Sequence, residues 1–294
     1  LASFQIGGQA TMRQRAVIAD TLGIKSGRDL RWVAGAVLLT VLIAEFLGFV
    51  MMCWATWTAG SAREVIWRAL FHSVSAFCNA GFSLGDDSLS RYAGNPWIHF
   101  VICSLVIVGG IGFPVIFDIV SRVQQPRDFW QRLSIQTKLM LIGTASLLAF
   151  GALSFWLLEW DEALAREPLG TRILMGLFHS TTCRTAGFNT VDYAALASPT
   201  LFLTIILMAI GAGPCSTGGG FKVSTFMTLG VSSWASFRGL PRANVFRRTI
   251  PATAVRRATA TALLFGSVAI VALVALLTVE SRGLVASRPR WFLE

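Results

Sequence analysis

Two stretches of this 294-residue chain are versions of one element. They are Phe71-His-Ser-Val-Ser-Ala-Phe-Cys-Asn-Ala-Gly-Phe-Ser83 and Phe178-His-Ser-Thr-Thr-Cys-Arg-Thr-Ala-Gly-Phe-Asn189. Both open on Phe-His-Ser, close on Ala-Gly-Phe and lie between long apolar segments, so only a single-residue deletion separates them. A unit of about 100 residues, repeated in a membrane protein, lines one shared pathway from several sides.

That the protein belongs in a membrane follows from composition. Hydrophobic residues make up 54% of the chain and charged residues 14%, against about 25% charged in a soluble domain. The net charge of +10 does not indicate nucleic acid, because the basic residues fall in particular loops. Five cysteines (Cys53, Cys78, Cys103, Cys183, Cys215) lie in or beside apolar segments without CxxC or metal-ligand spacing and read as free, buried thiols. Residue 1 is Leu and no signal peptide is read. Both ends read as cut: the chain is expected to start partway through a larger protein, and Arg290-Trp-Phe-Leu-Glu294 follows a span without a closing element.

Five segments suffice to cross a bilayer, which takes about 20 apolar residues: 32–57, 97–120, 139–158, 200–237 and 258–279. Segments 65–84 and 173–188 carry His, Arg and Ser and are too polar to face lipid throughout, so each is read as a half-membrane helix with a non-helical return. Charge tests this topology. Segments 1–31, 121–138 and 221–257 hold 16 of the 25 Lys and Arg, and segments 59–97 and 159–200 hold 8 of the 15 acids. With both hairpins re-entrant, every basic loop lies inside and every acidic loop outside, as the positive-inside rule demands. The expected fold is therefore an all-α membrane protein with five full spans and two pore loops. It divides into a cytoplasmic linker 1–31, a pore repeat 32–120, a second pore repeat 139–237 with a broken inner helix, and the first helix of a further repeat at 258–294.

A half-membrane helix followed by a glycine-containing turn suits a cation. The helix C-terminus is partially negative, and extended backbone can present carbonyls in place of hydration water. The backbones concerned are Asn79, Ala80, Gly81, Phe82 and Thr185, Ala186, Gly187, Phe188. A second irregular stretch, Gly211-Ala-Gly-Pro-Cys-Ser-Thr-Gly-Gly-Gly220, has five glycines and a proline in ten residues, which no continuous helix tolerates. A phosphate-binding loop is not expected there, since Gly218 is followed by glycines and no strand precedes it. Glu45 is expected to pair with a neighbouring helix and Asp118 to meet interfacial water. His72 and His179 are expected to anchor their helices, not to bind metal. Lys222 either caps the glycine loop or faces the cytoplasm.

The motifs 75–83, 182–189 and Gly213-Pro-Cys-Ser-Thr-Gly-Gly-Gly-Phe-Lys222, with Gly109-Gly-Ile-Gly-Phe-Pro114 and Leu133-Ser-Ile-Gln-Thr-Lys-Leu139, resemble the Trk/Ktr/HKT potassium-transporter superfamily, in its bacterial TrkH/KtrB branch. The resemblance implies four span–pore-loop–span repeats around one pore, of which this chain holds the second, the third and the start of the fourth. Gln5-Ile-Gly-Gly8 resembles the inner helix of the first repeat, with a junction expected near residues 8–13. It also implies that Gly81 and Gly187 are filter glycines, with Ser83 and Asn189 where a potassium channel has a second glycine. Arg184 is implied to support the filter from behind, held by carbonyls or an acid, because an unpaired charge costs about 2.5–3.5 kcal/mol at mid-membrane. Residues Gly211, Gly213, Pro214, Ser216, Thr217, Gly218, Gly219, Gly220 and Lys222 form its intramembrane gate loop.

The resulting expectation is a non-enzymatic potassium uptake protein of the bacterial inner membrane. It carries K+ with Na+ as a candidate modulator, forms a homodimer and meets a TrkA/KtrA-like nucleotide-binding regulatory subunit. The basic segment 238–257 is either that subunit's dock or an ordinary cytoplasmic loop. The alternatives are a secondary transporter coupling a solute to sodium or protons through discontinuous helices, and a membrane enzyme using the histidines and cysteines as a metal site.

Overall fold

The structure, a computed structural model, describes residues 30–58, 60–123, 128–246 and 248–281. Nearly all of the linker expected at 1–31, the proposed junction at 8–13 and the segment 282–294 lie outside the described residues. The described chain is predominantly helical and falls into two compact units, residues 1–227 and 228–294.

In the first unit the helices form two triads with the same order. The long helix α1 (Leu30–Thr56) packs on the short α2 (Ala62–Phe77), and both pack on α3 (Pro96–Ile111). After α4 (Phe113–Val120) and a single turn, α5 (Phe129–Arg132), the pattern repeats: α6 (Ile135–Glu159) packs on the short α7 (Leu169–Thr182) and on α8 (Ser198–Ala209). Contacts of α3 with α7 and of α4 with α6 join the triads. Local chemistry sets the boundaries. Asn95 Oδ1 accepts from the amides of Trp97 and Ile98 ahead of α3, with Pro96 in its first turn. Ser134 Oγ accepts from Thr137 N at 3.1 Å ahead of α6.

Among the described residues three helices are long and apolar enough to cross a bilayer, within 34–56, 135–159 and 252–278, at the places of the first, third and fifth expected spans. The second expected span departs from a straight helix: it bends by 95° between α3 and α4. The bend falls at Gly112, whose φ of 95° lies in the left-handed region that favours glycine. A broken helix strands carbonyls and amides, and here a distant segment takes them up. Gly110 O accepts from Gly213 N at 2.7 Å, Gly109 O from Thr217 N at 3.2 Å, and Phe113 N donates to Cys215 O at 3.3 Å. The fourth expected span is likewise broken, into α8, an irregular stretch at 210–222 and α9 (Val223–Phe237).

Three buried clusters hold this unit together. Met52, Phe77, Ile98, Ile102, Phe178 and Phe188 belong to the first, which draws on both triads. Val115, Met140, Leu207 and Val223 lie in the second, and Phe155, Leu164 and Met175 in the third. The outward face of α1, with Leu38, Leu39, Leu42, Ile43 and Phe46, remains exposed, as it must to face hydrocarbon. In the second unit β1 (Asn244–Val245) and β2 (Arg248–Thr249) form a minimal antiparallel hairpin that the all-helical expectation lacked. It precedes α10 (Ala252–Ser281), whose most apolar stretch is not buried at all.

Candidate functional site

The two repeated motifs fold alike. After α2, Ala80 N donates to Ser75 O at 2.9 Å; after α7, Ala186 N donates to Thr182 O at 3.0 Å. Asn79 and Thr185 then take φ values of 51° and 68°, and Gly81 and Gly187 values of 71° and 83°, while Ala80 and Ala186 do not join them. The sign of φ thus alternates along each stretch. A left-handed threonine, branched at Cβ, persists only where its surroundings impose it. The carbonyls of Phe82 and Phe188 are held alike by hydroxyls: Ser75 Oγ donates to Phe82 O at 2.9 Å and Thr182 Oγ1 to Phe188 O at 2.6 Å.

The shared Phe-His-Ser also has a physical reason. Ser73 Oγ donates to Glu45 O of α1 at 2.6 Å, and Ser180 Oγ donates to Leu148 O of α6 at 2.7 Å. Each serine therefore pins its short helix to the long one before it. The histidines act differently in the two copies. His72 Nε2 meets Ser83 Oγ at 3.2 Å, just beyond the first glycine, whereas His179 Nε2 meets Thr204 Oγ1 of α8 at 3.0 Å and its ring stacks on Phe155. Each ring thus bonds to a hydroxyl outside its own short helix.

The two turns converge. A Cβ added at Gly81 would fall 2.7 Å from Gly187 Cα, so the glycine backbones face each other directly. The loop after the first turn crosses to the second: Leu89 N donates to Asn189 O at 2.9 Å and Asn189 N to Ser88 Oγ at 3.1 Å. Eight carbonyls were expected to be available here, but those of Phe82 and Phe188 are turned onto their own helices. Among the described residues the carbonyls of Asn79, Ala80, Gly81, Thr185, Ala186 and Gly187 have no hydrogen-bond donor. Of these six residues Asn79 and Ala186 are buried, Gly81 and Thr185 half-buried, and Ala80 and Gly187 exposed.

The irregular stretch 210–222 closes on itself against these turns. Gly211 N donates to Phe221 O, Ala212 N to Gly219 O and Val223 N to Ala212 O, at 3.0 to 3.2 Å. Ser216 Oγ donates to Gly213 O at 2.7 Å. Lys222 Nζ donates to Gly218 O at 2.8 Å, so of its two expected positions it takes the capping one. The carbonyl of Pro214 faces Gly112, and Gly220 has φ 72°. Gly218 lies against Thr185: a Cβ there would fall 2.9 Å from Thr185 Oγ1.

Three charged residues differ from expectation. Arg184 is 7% exposed, but the carbonyls or acid expected to hold it are not found among the described residues, and its Nε has no partner there. Asp118 does not simply meet water. It accepts from Arg122 Nε at 2.6 Å, Ser134 N at 2.9 Å and Thr137 Oγ1 at 2.7 Å, tying α4 to the start of α6. Glu159, assigned from sequence to an acidic outer loop, is fully buried at the end of α6. Its only sequence signal is an acid directly following an apolar helix. Glu45 sits 3.9 Å from Cys78 Sγ, linking α1 to the end of α2 without a cationic partner among the described residues.

With this geometry the chain belongs to the TrkH family, described as cation transport proteins, whose family model matches residues 2–289. It is 36% identical over 279 residues to the Ktr system potassium uptake protein B of Vibrio alginolyticus, covering 94% of this chain and 61% of that protein. It is 36% identical over 286 residues to the potassium/sodium uptake protein NtpJ of Enterococcus hirae, covering 92% and 61%. The chain thus spans about three fifths of these relatives. The crystal structure of the potassium transporter TrkH from Vibrio parahaemolyticus shares the fold, with a TM-score of 0.65 and 22% identity over 92% of this chain and 56% of that one.

Proposed function

We propose that this protein takes up potassium across the bacterial cytoplasmic membrane, passively and without covalent chemistry. In this reading α2 and α7 are half-membrane pore helices, the backbones 79–81 and 185–187 contribute two sides of a selectivity filter, and the five apolar segments span the bilayer. The repeats run 32–120 and 139–237, with 258–294 opening another. The observation that carries the reading is the set of six donor-free carbonyls on two facing turns of alternating φ. Alternation aligns successive peptide planes that an ordinary strand would flip, and two helix C-termini add partial negative charge behind them. Such oxygens can replace the hydration shell of a monovalent cation. The names of the relatives support potassium as cargo and sodium as a second ion.

The loop 211–220 is the gate: it lies against Thr185 and is braced across the α3–α4 break. A homodimer and a cytoplasmic nucleotide-binding subunit of the TrkA/KtrA kind complete the reading, with the basic segment 238–257 on the cytoplasmic side. Arg184 is filter support. The intact protein in potassium-loaded proteoliposomes should pass K+ down its gradient with no co-substrate. Deleting residues 218–220 should raise basal flux about tenfold, a barrier change of about 1.4 kcal/mol. Absence of K+ flux overturns the potassium assignment, and unchanged flux after the deletion overturns the gate.

The two broken helix pairs favour a second reading, a secondary transporter with discontinuous helices. Single-molecule currents decide: a unitary conductance supports the pore, and flux strictly proportional to a co-transported solute supports the alternative.

A further inference from the structure

Thr217 stands where three segments of the first unit meet. Its hydroxyl donates to the carbonyl of Phe77, the last residue of α2, at 2.9 Å and accepts from Asn79 Nδ2 at 2.8 Å. Its amide donates to Gly109 O of α3 at 3.2 Å. The junction is tight: a Cβ at Gly109 would lie 2.9 Å from Thr217 Oγ1 and 3.1 Å from Asn79 Nδ2. Phe77 and Asn79 are 1% and 9% exposed, and without Thr217 the Asn79 Nδ2 keeps only longer contacts of 3.4 Å to Phe77 O and Val106 O, so a lost bond leaves buried polar groups poorly paired. Ser216, next to it, bonds only within its own loop. Thr217 is thus the hydroxyl by which the glycine loop of the second triad holds the first triad's turn, at the left-handed residue that begins it.

We propose that Thr217 is a positioning residue for transport, a latch that ties the closed loop to the filter so that gate and filter move together. This rests on the reading of 211–220 as the gate. The loop leaves its place only when both side-chain bonds break, which leaves the Asn79 amide and the Phe77 carbonyl, at the negative end of α2, with the weaker 3.4 Å contacts between them and to Val106 O. By linkage, whatever favours the latched geometry of Asn79 keeps the loop shut, and a withdrawn loop loosens Asn79 by the same factor.

The test measures K+ flux through the intact protein in proteoliposomes without any cytoplasmic partner, beside the 218–220 deletion. Thr217→Val keeps shape and removes the hydroxyl; it should raise basal flux about tenfold, within the range of allosteric couplings, with maximal flux and K+/Na+ preference unchanged. Thr217→Ala should show the same rise, and Thr217→Ser should restore the parent's low basal flux. If the deletion raises flux and both hydroxyl-free variants leave it unchanged, the latch is wrong and the gate stands. A Thr217→Ser protein as leaky as Thr217→Val overturns the latch too, since the hydroxyl would then not matter. No change in any variant, the deletion included, removes the gate and the latch together.

Discussion

On the proposed function, Gly81→Ala is expected to lower potassium uptake by more than about a hundredfold in a strain that depends on the protein, with the variant still reaching the membrane. Two effects combine at this residue. An L side chain at φ 71° costs about 1–2 kcal/mol. The added Cβ would also meet Ala186 O at 2.5 Å and Gly187 Cα at 2.7 Å, both backbone atoms that cannot rotate aside. One turn must shift by the better part of an ångström, and displacement on that scale at a reacting centre costs about a hundredfold. Gly187→Ala is expected to be milder: its φ of 83° carries the same backbone penalty, but its Cβ would lie 3.3 Å from Gly81 Cα, a tight contact relieved by a much smaller shift. Rubidium uptake by cells expressing each variant, normalised to membrane protein, gives the ranking. Near-parental uptake by Gly81→Ala would sink the proposal that these backbones face the ion.

The same distances explain what the sequence disclosed and what it hid. The repeat was legible because Phe-His-Ser and Ala-Gly-Phe are local. Ser73 and Ser180 each reach a carbonyl on the preceding helix, and the chain must turn at the same point in both copies. The irregular backbone at 211–220 was legible from glycine content alone. The break at Gly112 was not read, although its motif was in view, since 97–120 is apolar apart from His99, Ser104 and Asp118 and is long enough for one spanning helix. What permits the bend is tertiary: Gly213, Cys215 and Thr217 supply partners from about a hundred residues away. Thr217 was read as part of the glycine loop but not as a link to the first repeat, for a similar reason, its partners Phe77 and Asn79 being 140 and 138 residues distant. Arg184 marks the opposite case. It is 7% exposed, but the carbonyls or acid expected to hold it were not found among the described residues, and a pairing partner has no signature in local sequence.

Glu159→Ala is expected to destabilise the protein by about 3 kcal/mol, seen as a lower midpoint of thermal unfolding in detergent. The carboxylate is fully buried and accepts from Ala197 N at 2.9 Å, at the start of α8, and from Ala163 N at 3.4 Å. Ala197 has no capping side chain of its own, so an anion at this point also answers the partial positive charge at the α8 N-terminus. Truncation strands two part-buried amides; a stranded donor costs about 1–3 kcal/mol when buried, and partial exposure with the weaker 3.4 Å contact argues for the lower part of that range for each. Glu159→Gln should cost less, about 1–2 kcal/mol, because its carbonyl can still serve Ala197 while its NH2 opposes the Ala163 amide. Uptake should fall with stability, since α8 carries Thr204, the partner of His179, and leads directly into the glycine loop. An alanine variant as heat-resistant as the parent would show that α8 is held by its apolar face alone, leaving the buried acid without a structural task.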